Sequence, residues 1–343
     1  MLYGIAAAAT ALILTALLTA LLRTPARRLR LLDRRRQREV PLSGGVAVVL
    51  VTGLVVGAGG WAGVAPPVAD GARELLVAGG VVAVLGLCAD VWRLRRRVQA
   101  VGTAVAAACV VPYGETGVGP GLLAVGWVVW VTFGFRGLDH ADGLAGGVGM
   151  VTAFGVGACA AIEVMDGIAV LMSVLAAALT GFLMHNWHPA RAGLGACGSM
   201  PAGFVLAAGA VYARAGQGLG ESAGVLFALT AVVGADTVLV LVARRLAGRP
   251  VLRGGPDHLA HRLRRLGLTV PGATLLLGAV ALAGVLAGVL AHAGRVGADV
   301  LWWVAGGALF VVLTLFRVRV YGPRNPRQCV SSQVNGSLRV RSG

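Results

Sequence analysis

The sequence has no lysine; its 30 basic residues are all arginine, and they outnumber 14 acidic residues. Charged residues make up 13% of the chain, about half the share of a soluble globular domain. That leaves too little polar surface to wet the one or two soluble domains that 343 residues would allow. Aromatic residues are scarce at 6%. The five cysteines (Cys88, Cys109, Cys159, Cys197 and Cys329) share no paired spacing, so neither a disulfide framework nor a thiol zinc site is indicated. A disordered chain, a secreted disulfide scaffold and a soluble enzyme are excluded.

What is present is apolar and small. Hydrophobic residues reach 57%, glycine numbers 53 and the mean hydropathy is +0.82, a composition suited to closely packed membrane helices. With about 20 apolar residues per crossing, and about 17 still sufficient, the sequence predicts eleven spans. They cover 2–22, 45–64, 72–89, 100–113, 122–135, 144–162, 167–185, 200–213, 224–242, 271–292 and 300–316. The fourth and fifth are short, with Pro112, Gly114, Gly117 and Gly119 marking the turn between them. The expected fold is all-α, a polytopic integral membrane helix bundle: one transmembrane domain over 1–316, then a basic tail over 317–343.

The net charge of +16 does not point to nucleic acid, because the arginines cluster between apolar runs. Of the 30, 27 fall in alternate inter-span segments and only Arg73, Arg214 and Arg295 in the others. The positive-inside rule then places the N-terminus outside and the C-terminus in the cytoplasm, in a multi-pass protein of the cell membrane.

Acids divide between the two sides. Asp70, Glu74, Glu115, Glu163, Asp166, Glu221 and Asp299 lie at outer helix ends and read as solvated. Inside, Asp90, Asp139, Asp142, Asp236 and Asp257 adjoin apolar sequence. Asp236 sits within VVGADTVLVLV, where a carboxylate costs about 2.5–3.5 kcal/mol at mid-bilayer. Such a residue is paired, metal-bound or facing water; a structural pair with an arginine is the plainer alternative.

Asp139 and Asp142, in FRGLDHADGLAGG, share one face of a helical turn. Paired carboxylates with substrate phosphate oxygens suit Mg²⁺, whereas the plain reading is a solvated helix start. In the inner loop RRLAGRPVLRGGPDHLAHRLRRLG, His258 and His261 share a helical face, and Asp257 stands at a helix start after Pro256. With Arg262 they offer an anion-binding surface for a diphosphate. A zinc site lacks a third ligand nearby, and a basic loop touching anionic lipid is the simpler reading. His140, His185, His188 and His292 read as packing or interfacial. PLSGG (41–45) opens the second span, and HNWHPARAGLGACGS (185–199) offers backbone N–H groups to an anion at a helix start.

Taken in order, these five inner segments resemble the polyprenyl-phosphate N-acetylhexosamine-1-phosphate transferases, over about 41–268. The family's adjacent aspartates fall on Ala89 and Asp90, and the basic residue after them falls near Gln99. Its Asn-x-x-Asp-x-x-Asp-Gly falls on Arg136, Asp139, Asp142 and Gly143. Asn-x-x-Pro-Ala-Arg followed by Gly-Asp-x-Gly-Ser keeps Asn186, Pro189, Ala190, Arg191, Gly195, Gly198 and Ser199, with Ala196 at the aspartate. Asp-Thr falls on Asp236 and Thr237, and Asp-His-x-x-His-Arg-Leu on Asp257, His258, His261, Arg262 and Leu263.

The resemblance implies transfer of a HexNAc-1-phosphate from a UDP-sugar to polyprenyl phosphate, with release of UMP, in cell-envelope glycan synthesis. It implies Mg²⁺ (or Mn²⁺) on Asp139 and Asp142, catalytic roles for Asp90, Asp139 and Asp142, and a cytoplasmic active face. Substrate binding is expected at Asn186, Arg191, Asp236, Asp257, His258, His261 and Arg262. The expected partners are the UDP-N-acetylhexosamine donor, the polyprenyl phosphate acceptor, membrane lipid and a second copy in a homodimer. Alanine at 89 and 196 motivates the rival expectation of a catalytically degenerate relative that binds these ligands or regulates an active partner. A transporter has only Asp236 in its favour.

Overall fold

Within the described residues the apolar runs expected to cross the membrane are helical in the computed structural model, which describes residues 2–29, 31–33, 39–61, 71–92, 94–249 and 257–318. Pro256 and the tail from residue 319 onward lie outside the described residues. The helices are α1 (Leu2–Arg28), α2 (Ser43–Trp61), α3 (Ala72–Trp92), α4 (Arg96–Val110), α5 (Tyr113–Thr116), α6 (Val118–Leu138) and α7 (Leu144–Ile162). They continue with α8 (Asp166–Asn186), α9 (Gly195–Ala213), α10 (Leu219–Leu229), α11 (Ala231–Leu246), α12 (Leu259–Arg265), α13 (Val270–His292) and α14 (Asp299–Phe316). A two-residue antiparallel pair, β1 (Leu32–Asp33) with β2 (Val40–Pro41), precedes α2.

Among the described residues nine helices are long and apolar enough to cross a membrane. The expected ninth span is broken: α10 and α11 meet at 86°. At the break, Thr230 leaves helical geometry and its hydroxyl donates to the Leu226 carbonyl, while Thr152 of α7 donates to Leu229 O at 3.2 Å. Carbonyls freed by a break inside the bilayer need such donors, since no water replaces the lost bonds. The expected fourth span, α4, has 15 residues and reaches about 22 Å, short of the roughly 30 Å hydrocarbon core. It still returns the chain across the bundle with α5, because α3 and α6 both end against the start of α9.

The centre of the bundle is α9, almost wholly buried among α2, α3, α6, α7 and α8. Small residues permit this. A Cβ on Gly45 would stand 2.0 Å from Leu194 O, and one on Gly86 would stand 2.3 Å from Ala196 O, so α2 and α3 approach the α9 backbone directly. Lipid-facing residues complement this core: Trp61, Trp302, Trp303 and Phe310 are largely exposed on the outer helices. At the far end of α9, buried Arg214 meets Ser222, His292 and Glu221, tying together the ends of α9, α10 and α13.

Candidate functional site

The N-terminal turn of α9 has no capping side chain of its own at Leu194. Its orphan N–H groups, which every helix start leaves unpaired, point instead at carboxylates from two other helices. Asp139, the residue that ends α6, accepts from Gly195 N at 2.9 Å. Asp90, in the last turn of α3, accepts from Cys197 N at 3.0 Å and also from Ala196 N. The helix dipole favours both negative charges. Gly195 has φ +65°, and a Cβ there would come within 2.7 Å of Asp90 Oδ2, so glycine is required.

Arg136, in the last turn of α6, brings a cation to the same place. Its Nη1 donates to Oε1 of Gln99, a buried residue of α4, and lies 3.5 Å from Met200 Sδ in α9. Gln99 is itself fixed, because its amide nitrogen donates to Leu94 O at 2.7 Å. The positive charge of Arg136 acts on Asp90.

Asp142 is aimed elsewhere. One carboxylate oxygen accepts from His188 Nδ1 at 2.8 Å and from Ala190 N at 3.2 Å, and its backbone carbonyl takes the Thr274 hydroxyl of α13. Asn186 is buried behind it, accepting from Gly143 N and donating to Ala192 O, which clamps the start of α7 to the loop before α9. Arg191 in that loop is exposed.

A second cluster is built around α12. Asp236, 1% exposed in α11, accepts from His258 Nδ1 and from Leu259 N, both at 2.7 Å, so it caps α12 across the gap between two segments. Asp257 pairs with Arg244 at 2.6 Å. Arg262, 2% exposed, donates to the carbonyls of Leu315, Phe316 and Val318, the unpaired end of α14. His140 stacks on His258 with ring centroids 4.1 Å apart and lies 4.7 Å from His261. Burial pushes the pKa of His140 well below the ordinary imidazole range, and burial lowers that of His261 as well. His261 borders an open cavity of about 480 Å³ with Arg264, Arg265 and Thr269.

The structure therefore divides the expected site residues. It gathers Asp90 and Asp139 at the start of α9, with Asp142 at the loop beside it, and gathers Asp236, Asp257, His258, His261 and Arg262 around α12. The paired base of Asp236 is a histidine, not the arginine of the plainer expectation. Sequence reasoning passed over Arg136 and Gln99 as a contact, and read His140 and His188 as packing residues. Their spacings of 37 and 118 residues from Gln99 and His258 carry no local signal.

Comparison with known proteins falls on the same segments. A model of "Glycosyl transferase family 4" matches residues 73–214, which run from α3 to the end of α9 and contain Asp90, Asp139, Asp142 and Asn186. A decaprenyl-phosphate N-acetylglucosaminephosphotransferase of Mycobacterium tuberculosis is 30% identical over 305 residues, 75% of this chain and 75% of that protein. The chain belongs to glycosyl transferase family 4. A provisionally named glycosyltransferase of Streptomyces coelicolor is 67% identical over 331 residues, 95% of this chain and 80% of its own. A phospho-N-acetylmuramoyl-pentapeptide-transferase of Rubrobacter xylanophilus is 30% identical over 157 residues, 43% of this chain and 46% of its own. The chain is thus a family 4 multi-pass membrane protein.

The magnesium expected on Asp139 and Asp142 does not fit the donors present. Their carboxylates are held at separate points of the α8–α9 segment, by Gly195 N and by Ala190 N with His188. Ala89 and Ala196, both buried, contribute no donor, and among the described residues no three His, Cys, Asp or Glu side chains are grouped to hold a metal.

Proposed function

We propose that this protein is a membrane sugar-1-phosphate transferase. It moves a HexNAc-1-phosphate from a UDP-sugar to polyprenyl phosphate and releases UMP, in the synthesis of a cell-envelope glycan. The observation that carries this reading is the convergence of Asp90, Asp139 and Asp142, from the ends of α3 and α6 and the turn before α7, on the α9 N-terminus and its preceding loop. That is the stretch over which the chain matches its family. Phosphoryl transfer needs little covalent help from a protein; positioning and charge neutralisation supply most of the rate. On this reading Asp90 faces the accepting lipid phosphate. Exposed Arg191 and half-buried His261, beside its cavity, meet the donor's phosphates. Asn186, Asp236, Asp257, His258 and Arg262 act as positioning residues, because each is buried and bonded to protein groups. The arginine asymmetry supports a cytoplasmic site, an outer N-terminus and an inner C-terminus; a reporter fused after Gly343 that is active on the outer side would overturn that orientation.

A second reading, a family relative that binds lipid phosphate or nucleotide-sugar without turnover, is favoured by one observation: buried Ala89 and Ala196 stand beside Asp90 where the family pattern has aspartates. Purified full-length protein given UDP-N-acetylglucosamine and decaprenyl phosphate decides between the two. UMP release is expected from the transferase. Donor binding without UMP, in wild type and in an Ala89→Asp/Ala196→Asp double variant alike, establishes the binding relative. UMP from the double variant alone would assign the loss to those two positions.

A further inference from the structure

Buried Asp139 and half-buried Asp90 share one helix end, with Asp33 adding negative charge at Asp90, and the residues around them supply compensation from within the chain. Three successive N–H groups of α9 bond to Asp90 and Asp139, which adds about half a positive charge from the helix start. The guanidinium of Arg136 adds a whole one. It cannot swing away, because Gln99 accepts from it, Gln99 is fixed by Leu94 O, and Met200 closes the other side. An arginine is charged at every accessible pH. The side-chain types are also exchanged across this single contact. A basic residue is expected near 99 and an amide at 136, whereas the chain has the amide at 99 and the base at 136.

We propose that Arg136, clamped by Gln99, is the resident cation of this centre and takes the position in its charge balance that a divalent metal would otherwise fill. The centre is therefore metal-independent in stability and in ligand binding. A dication entering here would meet carboxylates whose Oδ2 atoms already accept backbone N–H groups, and a fixed like charge beside them. The inference rests on reading this centre as the phosphate-handling site of the protein, but not on whether turnover occurs.

The test uses the full chain in detergent without substrate, with Mn²⁺ binding followed by electron paramagnetic resonance and unfolding followed with Mg²⁺ or a chelator. Wild type is expected to show no saturable Mn²⁺ site and the same Tm with either addition. Arg136→Asn removes the compensating charge, so it should lose stability and gain a metal-dependent rise in Tm of roughly 5 °C at metal concentrations near 100 times its Kd. Arg136→Lys keeps a charge and should behave as wild type, as should Gln99→Lys/Arg136→Asn, which restores the cation from the other side of the contact. A saturable Mn²⁺ site in wild type overturns the proposal, and so does a folded Arg136→Asn that stays indifferent to metal. If Arg136→Asn does not fold, wild type and Arg136→Lys carry the test: a metal-dependent Tm in either overturns it. UMP release is scored separately. Its absence counts against the transferase reading alone; only chelator-sensitive release by wild type counts against Arg136.

Discussion

The two polar clusters at this end of the bundle solve the same problem in different ways. Around α12 each buried acid meets a side-chain base on a neighbouring segment, Asp236 with His258 and Asp257 with Arg244. Around the start of α9 the acids meet backbone N–H groups first, with the guanidinium of Arg136 nearby. The first arrangement closes on itself and docks a loop, since α12 is only seven residues long and is held by contacts to α11 and α14. The second sits where glycines and alanines keep side chains short, so the backbone itself meets whatever approaches. Charge that is paired inside the chain docks a loop, and charge held at a helix start rests on backbone donors.

That contrast is broken most directly at Asp257. Asp257→Ala leaves the buried Arg244 guanidinium without its carboxylate, and unfolding of the detergent-solubilised protein should register a loss of about 3–5 kcal/mol. A loss under about 1 kcal/mol, the size of an exposed pair, would show that the α12 cluster is not closed. Asp139→Asn should do less. The amide oxygen still accepts from Gly195 N, so the expected loss is that of the charge at the helix start, about 0.5–2 kcal/mol in the same measurement. Equal losses in the two variants would erase the distinction between the clusters.

The smallest effect is expected from pH. Burial lowers the pKa of His140 and His261 in the folded protein. As pH falls through about 6.5 the unfolded chain takes up protons at these residues before the folded chain does. Stability is therefore full above that range and drops as pH falls toward the folded-state values. Tm measured from about pH 7.5 downward should decline, and the decline should weaken in His140→Phe. A Tm that rises on acidification would mean that the cluster binds protons more tightly when folded.

Much of the architecture was legible because hydropathy and the arginine distribution are one-dimensional. Among the described residues nine of the eleven apolar runs hold a single helix long enough to span, one is the short α4 and one is the bent pair α10 and α11; the acids at 90, 139 and 142 were marked by their place at span ends. The break at Thr230 was not legible, since the run 224–242 is apolar throughout and the bend is relieved by Thr152, which lies in another helix. Nor was the shortness of α4 decisive by itself; the direction of α4 follows from α3 and α6 ending at the same helix start.

By itself the sequence determined that this chain is a membrane bundle, because no other solvent accepts so much apolar surface with so little charge. It also determined the family, because the inner segments keep their order and spacing. Only the tertiary structure decided which charges belong together. Gln99 and Arg136 are 37 residues apart, and His140 and His258 are 118 apart, yet each pair is in contact. A carboxylate buried near a bilayer must find its partner wherever packing brings a donor, and packing is set by which glycines and alanines let helices close, not by distance along the chain.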